Sequence, residues 1–302
     1  MDQPARLRAP TVGSAARSQW GRPGRSPSGA GAGGRCRCPP ALIPQGGAAC
    51  LPLRHPRLRL GDDVGVTDVE ERRAELGARL QAVRGRIADA CVAAGRDPAE
   101  VTLVAVTKTF PASDVRLLSE LGVRDVGENR DQEAAPKAAE CAPLASRLTW
   151  HFIGQLQTNK AASVARYAGV VHSVDRVRLV HALGAAARKA ERTLTCLVQV
   201  SLDQDEDRGG VPEPEAAALA AAVAREDGLV LGGVMAMAPL GVPPAQAFAP
   251  LPRIAGAVRA AYPEAVIVSA GMSGDLEYAI AAGATHVRVG TALLGGRPGF
   301  VR

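Results

Sequence analysis

The chain has few lysines, few aromatic side chains and no long apolar run. Lysine accounts for only four of its 36 basic residues, Lys108, Lys137, Lys160 and Lys189, and arginine for the other 32. Aromatic residues make up 3% of the 302 residues. No apolar run reaches the ~20 residues that a membrane-spanning helix needs, so we expect no membrane contact. Because arginine supplies the surface charge, each lysine is a candidate for chemistry that arginine cannot perform.

Signatures of metal sites and disulfide frameworks are also missing. The six cysteines contain no CxxC pair, and the five histidines contain no HExxH motif. Cys36 and Cys38 are too close together for a zinc knuckle. Cys91, Cys141 and Cys196 lie in helix-like or strand-like segments, as small core residues do. We therefore expect no metal site and a reduced, cytoplasmic setting.

The positive charge is concentrated at the amino terminus. Residues 1–60 hold ten arginines and a single acid, Asp2, so the net charge of +6 leaves the remaining residues at −3. Nucleic-acid binding needs a basic face on a folded domain, and we predict no nucleic-acid partner. The Pro-, Gly- and Arg-rich segment 1–60 has no sustained period. Three interpretations stay open, a disordered arm, a transit-like segment or translated upstream DNA, and we favour disorder.

From Thr67 onward, short apolar segments alternate with helical ones. A first helix is predicted to start at Thr67, and Gly95 ends it. Eight strand candidates follow at 101–107, 123–126, 149–153, 170–174, 194–200, 229–235, 265–269 and 286–289. Helical patterns separate them at 113–121, 130–140, 158–168, 176–190, 213–226, 245–261 and 275–282. We predict a single α/β domain over residues 67–302, a TIM-type (β/α)8 barrel with an extra N-terminal helix. An open doubly wound sheet is the alternative.

Lys108 stands where the near-continuous β-branched run of 101–107 ends. In a barrel of this type the carboxyl ends of the strands and the loops after them form the functional face. Lysine is rarely buried, and only lysine forms an imine with an aldehyde. Lys108 is therefore a candidate for covalent chemistry, and the alternative is a strand-end residue whose ammonium reaches solvent.

The loops after the seventh and eighth strands form a candidate phosphate site. Gly271-Met272-Ser273-Gly274 precedes a helix, and Arg288-Val-Gly290-Thr291 closes the last strand. Barrels often bind phosphate with these two loops, because glycines let backbone N–H groups approach an anion. Arg288 adds positive charge unless it pairs with a neighbouring acid. An imine-forming lysine beside a phosphate site suggests pyridoxal 5′-phosphate. A Schiff-base aldolase is an alternative in which Glu128 or Asp175 supplies an acid.

Five motifs in order resemble one known family. They are Ala-Val-Thr-Lys108, Gly127-Glu-Asn129, His151-Phe-Ile-Gly154-x-Leu-Gln-x-Asn-Lys160, Gly271-Met-Ser273 and Arg288-Val-Gly-Thr291. Residues 67–302 resemble the pyridoxal phosphate homeostasis proteins, whose barrel is related to the N-terminal domain of alanine racemase. The resemblance implies that the chain carries pyridoxal phosphate as an aldimine on Lys108. It also implies a cofactor pocket on the motifs of Asn129, Gly271, Met272, Ser273, Arg288, Gly290 and Thr291.

The resemblance implies a cofactor carrier rather than a catalyst. Alanine racemase and its relatives complete their sites with a second domain that supplies an acid–base residue and builds the dimer. We expect this chain to lack that domain, to be a monomer, and to meet pyridoxal phosphate-dependent apo-enzymes only transiently. A fold-type III racemase or related amino-acid enzyme is the alternative. The loop at Arg208-Gly209-Gly210 departs from the family, which often has a lysine there.

Several candidates also have a purely structural interpretation. Asn129 could cap the helix that follows it. His151 is more typical of a satisfied core histidine than of a catalyst, and Lys160 could be a surface lysine. For Met235 and Met237 we expect packing, with only one of the two facing the barrel interior.

Overall fold

The structure, a computed structural model, describes residues 64–203 and 209–296, with side chains from Asp68 onward. The predicted tail at 1–60 and the loop residues 204–208 lie outside the described residues. Within them, no helix combines the length and the apolar character needed to cross a membrane.

Eight parallel strands close into a barrel in the order β1 to β8. The strands are β1 Thr102–Val106, β2 Asp125–Glu128, β3 Thr149–Phe152, β4 Val170–Val174, β5 Leu194–Gln199, β6 Leu229–Met235, β7 Ile267–Ser269 and β8 His286–Val289. The helices are α1 Val64–Ala93, α2 Ala112–Glu120, α3 Asp131–Glu140, α4 Ala161–Tyr167, α5 Val177–Lys189, α6 Glu213–Arg225, α7 Pro244–Ala247, α8 Leu251–Ala261, α9 Leu276–Ala281 and α10 Thr291–Leu294. Short 3-10 turns lie at Pro98–Glu100, Ala142–Leu144 and Thr158–Lys160.

The predicted barrel and all eight strands are confirmed, with shifts at their ends. Helix α1 begins at Val64, three residues before the predicted start. The predicted helix over 245–261 is two helices, because Pro250 lacks the N–H that would continue the first one. Strand β2 reaches Glu128, which the sequence placed in the loop after the strand.

Alternation along each strand separates an interior face from a face that packs on the helices. A small apolar cluster of Val170, Leu197 and Met235, with Met237 packed against it, lies apart from the two larger cores beneath the helices. Our expectation that only one of the two methionines faces the interior was wrong. Met235 ends β6 inside this cluster, and Met237, two residues beyond the strand, packs against it.

The first and last strands meet along a seam that closes the barrel. Thr102 pairs with His286 and Val104 with Arg288. Helix α1 packs against α9 and α10, and Arg96 at its end donates to the carbonyls of Ile280 and Ala284 at 2.9 and 2.8 Å. The residues after β1 therefore lie beside the residues after β8.

Candidate functional site

Lys108 lies at the mouth of the barrel, two residues beyond the end of β1. A Cβ atom added to Gly127 would contact Val104 and Val106, so these two valines share the interior face with position 127. Lys108 continues that alternation and is half-buried. Thr109, which follows it, adopts a φ of 70°, an uncommon conformation for a β-branched residue. Its N–H donates to Glu133 at 3.2 Å, which helps to hold this turn.

A buried polar group lies behind Lys108 and faces helix α3 rather than the pocket. It consists of Thr107, Glu128 and Lys137, and we call it the outer cluster. The Lys137 ammonium donates to Glu128 Oε1 at 2.6 Å and to the Thr107 carbonyl at 2.8 Å. The Thr107 hydroxyl donates to the same carboxylate oxygen at 2.7 Å. Glu128 Oε2 is buried and has no partner among the described residues. Burial raises the pKa of the Glu128 carboxyl, and the charge of Lys137 opposes that rise.

This arrangement removes one support of the aldolase interpretation. The Glu128 carboxylate accepts from Lys137 and from the Thr107 hydroxyl, so it is not an acid in the pocket. Lys137 is almost fully buried, and its ammonium donates to Glu128 and to the Thr107 carbonyl, so it does not face the pocket either. Of the lysines that are described, Lys108 is the one at the barrel mouth on the interior face.

A hydrogen-bonded interior chain crosses the barrel from Asp125 to Arg288. His151 Nε2 lies 3.0 Å from Asp125 Oδ1, and His151 Nδ1 lies 2.8 Å from His172 Nε2. His172 Nδ1 lies 2.9 Å from Ser269 Oγ, and Arg288 Nη1 donates to the same hydroxyl oxygen at 2.6 Å. The second terminal nitrogen of Arg288 donates to the Ala236 carbonyl at 3.0 Å. We name Asp125, His151, His172, Ser269 and Arg288 the interior chain.

Burial shapes the protonation of this chain. It lowers the pKa of His172 well below its ordinary range, and the neighbouring His151 and Arg288 lower it further. Burial also lowers the pKa of Arg288 to about 10, against the opposing charge of Asp275. His286, which shares the seam with Thr102, bonds to Thr285 Oγ1 at 3.0 Å and its pKa falls to about 4, chiefly through burial. At neutral pH His172 and His286 are neutral and Arg288 is charged.

The two predicted phosphate turns adjoin each other at the mouth. The Ala292 N–H donates to Ser273 Oγ at 3.4 Å, which joins the turn after β7 to the turn after β8. Gly271 has a φ of 88° and lies so close to α9 that an added Cβ would be 2.7 Å from the Ala279 side chain. Gly290 passes close to β1, since an added Cβ would lie 3.3 Å from the Val106 carbonyl. Glycine is therefore needed at position 271 on both steric and conformational grounds.

One donor of the first turn has an internal partner. The Met272 N–H donates to Asp275 Oδ1 at 2.5 Å, and the Met272 side chain is exposed. The N–H groups of Ser273, Gly274 and Thr291 donate to no described residue. These three backbone donors are therefore available to an anion.

Asn129 is held by a close contact with the next motif. A Cβ on Gly154 would lie 2.0 Å from the Asn129 carbonyl oxygen and 2.7 Å from its side-chain Oδ1. The residue that caps helix α3 is Arg130, with no capping bond from a side chain. The capping interpretation of Asn129 is therefore wrong, and Gly154 places its amide at the end of β2.

The sequence patterns predicted polar residues at the barrel mouth but not the interior chain beneath them. His151 is a satisfied core histidine, as expected. Arg288 lies inside the barrel on Ser269 and Ala236 rather than in a phosphate turn. His172, Ser269 and Lys137 were not proposed as site residues. A polar residue within an otherwise apolar strand, as at His172, was the available signal.

Comparisons with known proteins agree with this geometry. The family model for the N-terminal domain of alanine racemase matches residues 79–298. The pyridoxal phosphate homeostasis protein of Mycobacterium tuberculosis (strain H37Rv) is 46% identical over 245 residues, covering 75% of this chain and 95% of that protein. The chain belongs to the pyridoxal phosphate homeostasis protein family. The Escherichia coli K12 member is 37% identical over 227 residues, covering 74% of this chain and 97% of that protein.

A solved structure extends the family match to the fold. PipY of Synechococcus elongatus, solved with pyridoxal phosphate bound, superposes with a TM-score of 0.64 at 33% sequence identity. The match covers 73% of this chain and all of PipY. The predicted family and the predicted barrel are thus both confirmed.

Proposed function

We propose that this chain binds pyridoxal 5′-phosphate on Lys108 and serves to buffer the cofactor and deliver it to other proteins. The observation that carries the proposal is the seam at the barrel mouth. There the residue after β1, Lys108, lies on the interior face, and the turns after β7 and β8 are joined beside it. The relatives suggest the cofactor: one is a pyridoxal phosphate homeostasis protein at 46% identity, and another is PipY with pyridoxal phosphate bound.

The described residues fit this cofactor. Its aldehyde can condense with an amine, which Lys108 supplies at the mouth. Its phosphate needs backbone donors and a close approach, which the N–H groups of Ser273, Gly274 and Thr291 and the bare backbone of Gly271 offer. Arg288 places a buried cation inside the barrel.

The remaining predicted residues take supporting roles in this proposal. Asn129 offers an amide beside the Lys108 strand, where Gly154 holds it. Gly290 brings β8 close to β1, and Ser273 joins the two turns through Ala292. Met272 is the weakest of the predicted contacts, because its N–H already bonds to Asp275.

A carrier fits the described side chains better than a racemase does. Exchange of a proton at the α-carbon of an amino acid needs a base on each face, within hydrogen-bond reach. All three tyrosines of the sequence lie on or next to helices: Tyr167 in α4, Tyr262 after α8 and Tyr278 in α9. The described cysteines are buried thiols outside the mouth. Among the described residues, no tyrosine or cysteine therefore lies at the mouth of the barrel.

The binding test uses the purified chain and its absorption spectrum. We expect a visible band after addition of pyridoxal phosphate, and borohydride should bleach it and fix the cofactor mass on the Lys108 peptide. Lys108→Ala should lose the band, while Lys189→Ala, which changes an exposed lysine of α5, should keep it. A wild-type chain that takes up no added cofactor would refute the proposal.

The delivery test uses the loaded chain and a pyridoxal phosphate-dependent apo-enzyme. We expect the loaded chain to restore the apo-enzyme through a transient encounter, in the presence of a scavenger that removes free cofactor. The proposed setting is the cytoplasm, consistent with the free thiols of Cys91, Cys141 and Cys196. Amino-acid turnover by the wild type that Lys108→Ala abolishes would instead favour the enzyme alternative.

A further inference from the structure

The interior chain has one proton arrangement that satisfies all its members while both histidines are neutral. Asp125 is an acceptor, so His151 must donate to it through Nε2–H. His151 Nδ1 is then an acceptor, and it needs the Nε2–H of His172, 2.8 Å away. His172 Nδ1 becomes an acceptor in turn. Each tautomer is thereby fixed by its neighbour.

The same reasoning fixes the hydrogen bond between the Ser269 hydroxyl and Arg288. Ser269 must donate its proton to His172 Nδ1, so its oxygen keeps its lone pairs for the N–H of Arg288 at 2.6 Å. Arg288 always donates, so the hydrogen bonds run in one direction from Arg288 to Asp125. With one bond to Ser269 and one to Ala236, the guanidinium is anchored at both terminal nitrogens.

The alternative arrangement disturbs the Arg288 end. If His151 carried a proton on both ring nitrogens, it would donate to His172 Nε2 and turn that ring into the Nδ1–H tautomer. His172 would then donate to Ser269 Oγ, which already accepts from Arg288. The serine proton would have to leave the chain, although Ser269 is fully buried. A change of protonation at the Asp125 end therefore alters the hydrogen bond that Arg288 can donate to Ser269.

We propose that His151 and His172 form a positioning relay, which turns Ser269 into an acceptor for Arg288 and so fixes the orientation of the guanidinium inside the barrel. The relay deepens the proposed function, since Arg288 is one of the residues proposed to line the cofactor pocket. Neither histidine touches the cofactor in this proposal. Both act through Ser269.

The first test needs no cofactor. Nitrogen NMR of the wild-type chain with labelled histidine should show His151 and His172 as Nε2–H tautomers at neutral pH. The Arg288 side-chain N–H signals should exchange slowly with water. A His172 that carries its proton on Nδ1 overturns the relay, whatever the chain binds.

The second test compares three variants of the full chain. His172→Phe should speed the exchange of the Arg288 N–H groups and raise the Kd for pyridoxal phosphate about fivefold to tenfold, as loss of one oriented hydrogen bond predicts. His172→Gln keeps a donor and an acceptor and should restore part of both. His286→Gln changes another histidine near His151, with ring centroids 6.2 Å apart. It should leave the exchange rate of the Arg288 N–H groups and the Kd for pyridoxal phosphate within twofold of the wild-type values.

The outcomes separate the relay from the proposed function. A wild type that takes up no cofactor refutes the function, and the exchange of the Arg288 N–H groups still decides the relay. Equal effects of His172→Phe and His286→Gln on that exchange would mean a general packing defect and would overturn the relay. Where His172→Phe does not fold, Ser269→Ala replaces it, because that variant removes the same link to Arg288.

Discussion

The barrel contains two polar groups, the outer cluster and the interior chain, that differ in how far apart their opposite charges lie. In the outer cluster, Lys137 and Glu128 are in direct contact at 2.6 Å, and one carboxylate oxygen has no partner within the described part of the chain. In the interior chain, the cation of Arg288 and the carboxylate of Asp125 are separated by a hydroxyl and two imidazoles. The outer cluster concentrates its electrostatic energy in one ion pair, whereas the interior chain divides it among several hydrogen bonds.

The difference explains what each group is suited to do. A buried ion pair is costly to break, because removing one partner leaves a full charge without compensation. The outer cluster therefore fixes the backbone at Thr107, the residue before Lys108. The interior chain has a single direction, because Arg288 can only donate, and it is therefore suited to orienting that side chain.

Lys137→Ala should have the largest effect, because it leaves the Glu128 carboxylate and the Thr107 carbonyl buried without their shared donor. We expect the free energy of unfolding to fall by about 3–5 kcal/mol in urea denaturation. The control Lys189→Ala, at an exposed lysine, should stay within about 0.5 kcal/mol. The double change Lys137→Met with Glu128→Leu should recover most of the loss. If Lys137→Ala and Lys189→Ala lost equal free energy of unfolding, the outer cluster would not depend on its ion pair, and the contrast with the interior chain would fail.

Acid should destabilise the barrel through its interior histidines. The pKa of His286 is about 4 in the folded chain against 6.5 for the free group, and that of His172 is also lowered. Because the unfolded chain binds these protons first, stability is fully present above pH ~6.5 and falls as the pH drops toward 4, on the order of 3 kcal/mol for His286 alone.

Urea denaturation at a series of pH values measures this slope. His286→Gln should flatten it between pH 6.5 and 5, and the control Lys189→Ala, at an exposed lysine of α5, should not. A slope that His286→Gln leaves unchanged would contradict the assignment.

Thr107→Val should have the smallest effect. It removes one of the two hydrogen bonds to Glu128 Oε1 and keeps the shape of the side chain, while Lys137 still donates to that oxygen. We expect a loss of about 1 kcal/mol in the free energy of unfolding. Thr107→Ser, which keeps the hydroxyl, should lose less. A loss as large as that of Lys137→Ala would mean that the hydroxyl, rather than the ion pair, holds the cluster together.

Local patterns were enough to predict the barrel and to place the candidate site at its mouth. Each strand is a short apolar run, and strand ends of a parallel barrel must meet at one mouth, so Lys108, Ser273 and Thr291 could be placed together. The interior chain joins residues from β2, β3, β4, β7 and β8, and no spacing within one segment encodes such contacts. Lys137 was hidden for a different reason: a lysine inside a helix is usually on the surface.

The seam between β1 and β8 also determines when the candidate site forms during folding. Lys108 follows the first strand and Gly290 follows the last, and the two come together only when the barrel closes and α1 packs on α9 and α10. Contacts between residues so far apart in sequence form late in folding. A nascent chain still lacking β8 therefore presents Lys108 without the turn at Gly290 and Thr291, and a ligand that needs both binds only the closed barrel. Binding then shifts the folding equilibrium toward the closed chain and slows its reopening.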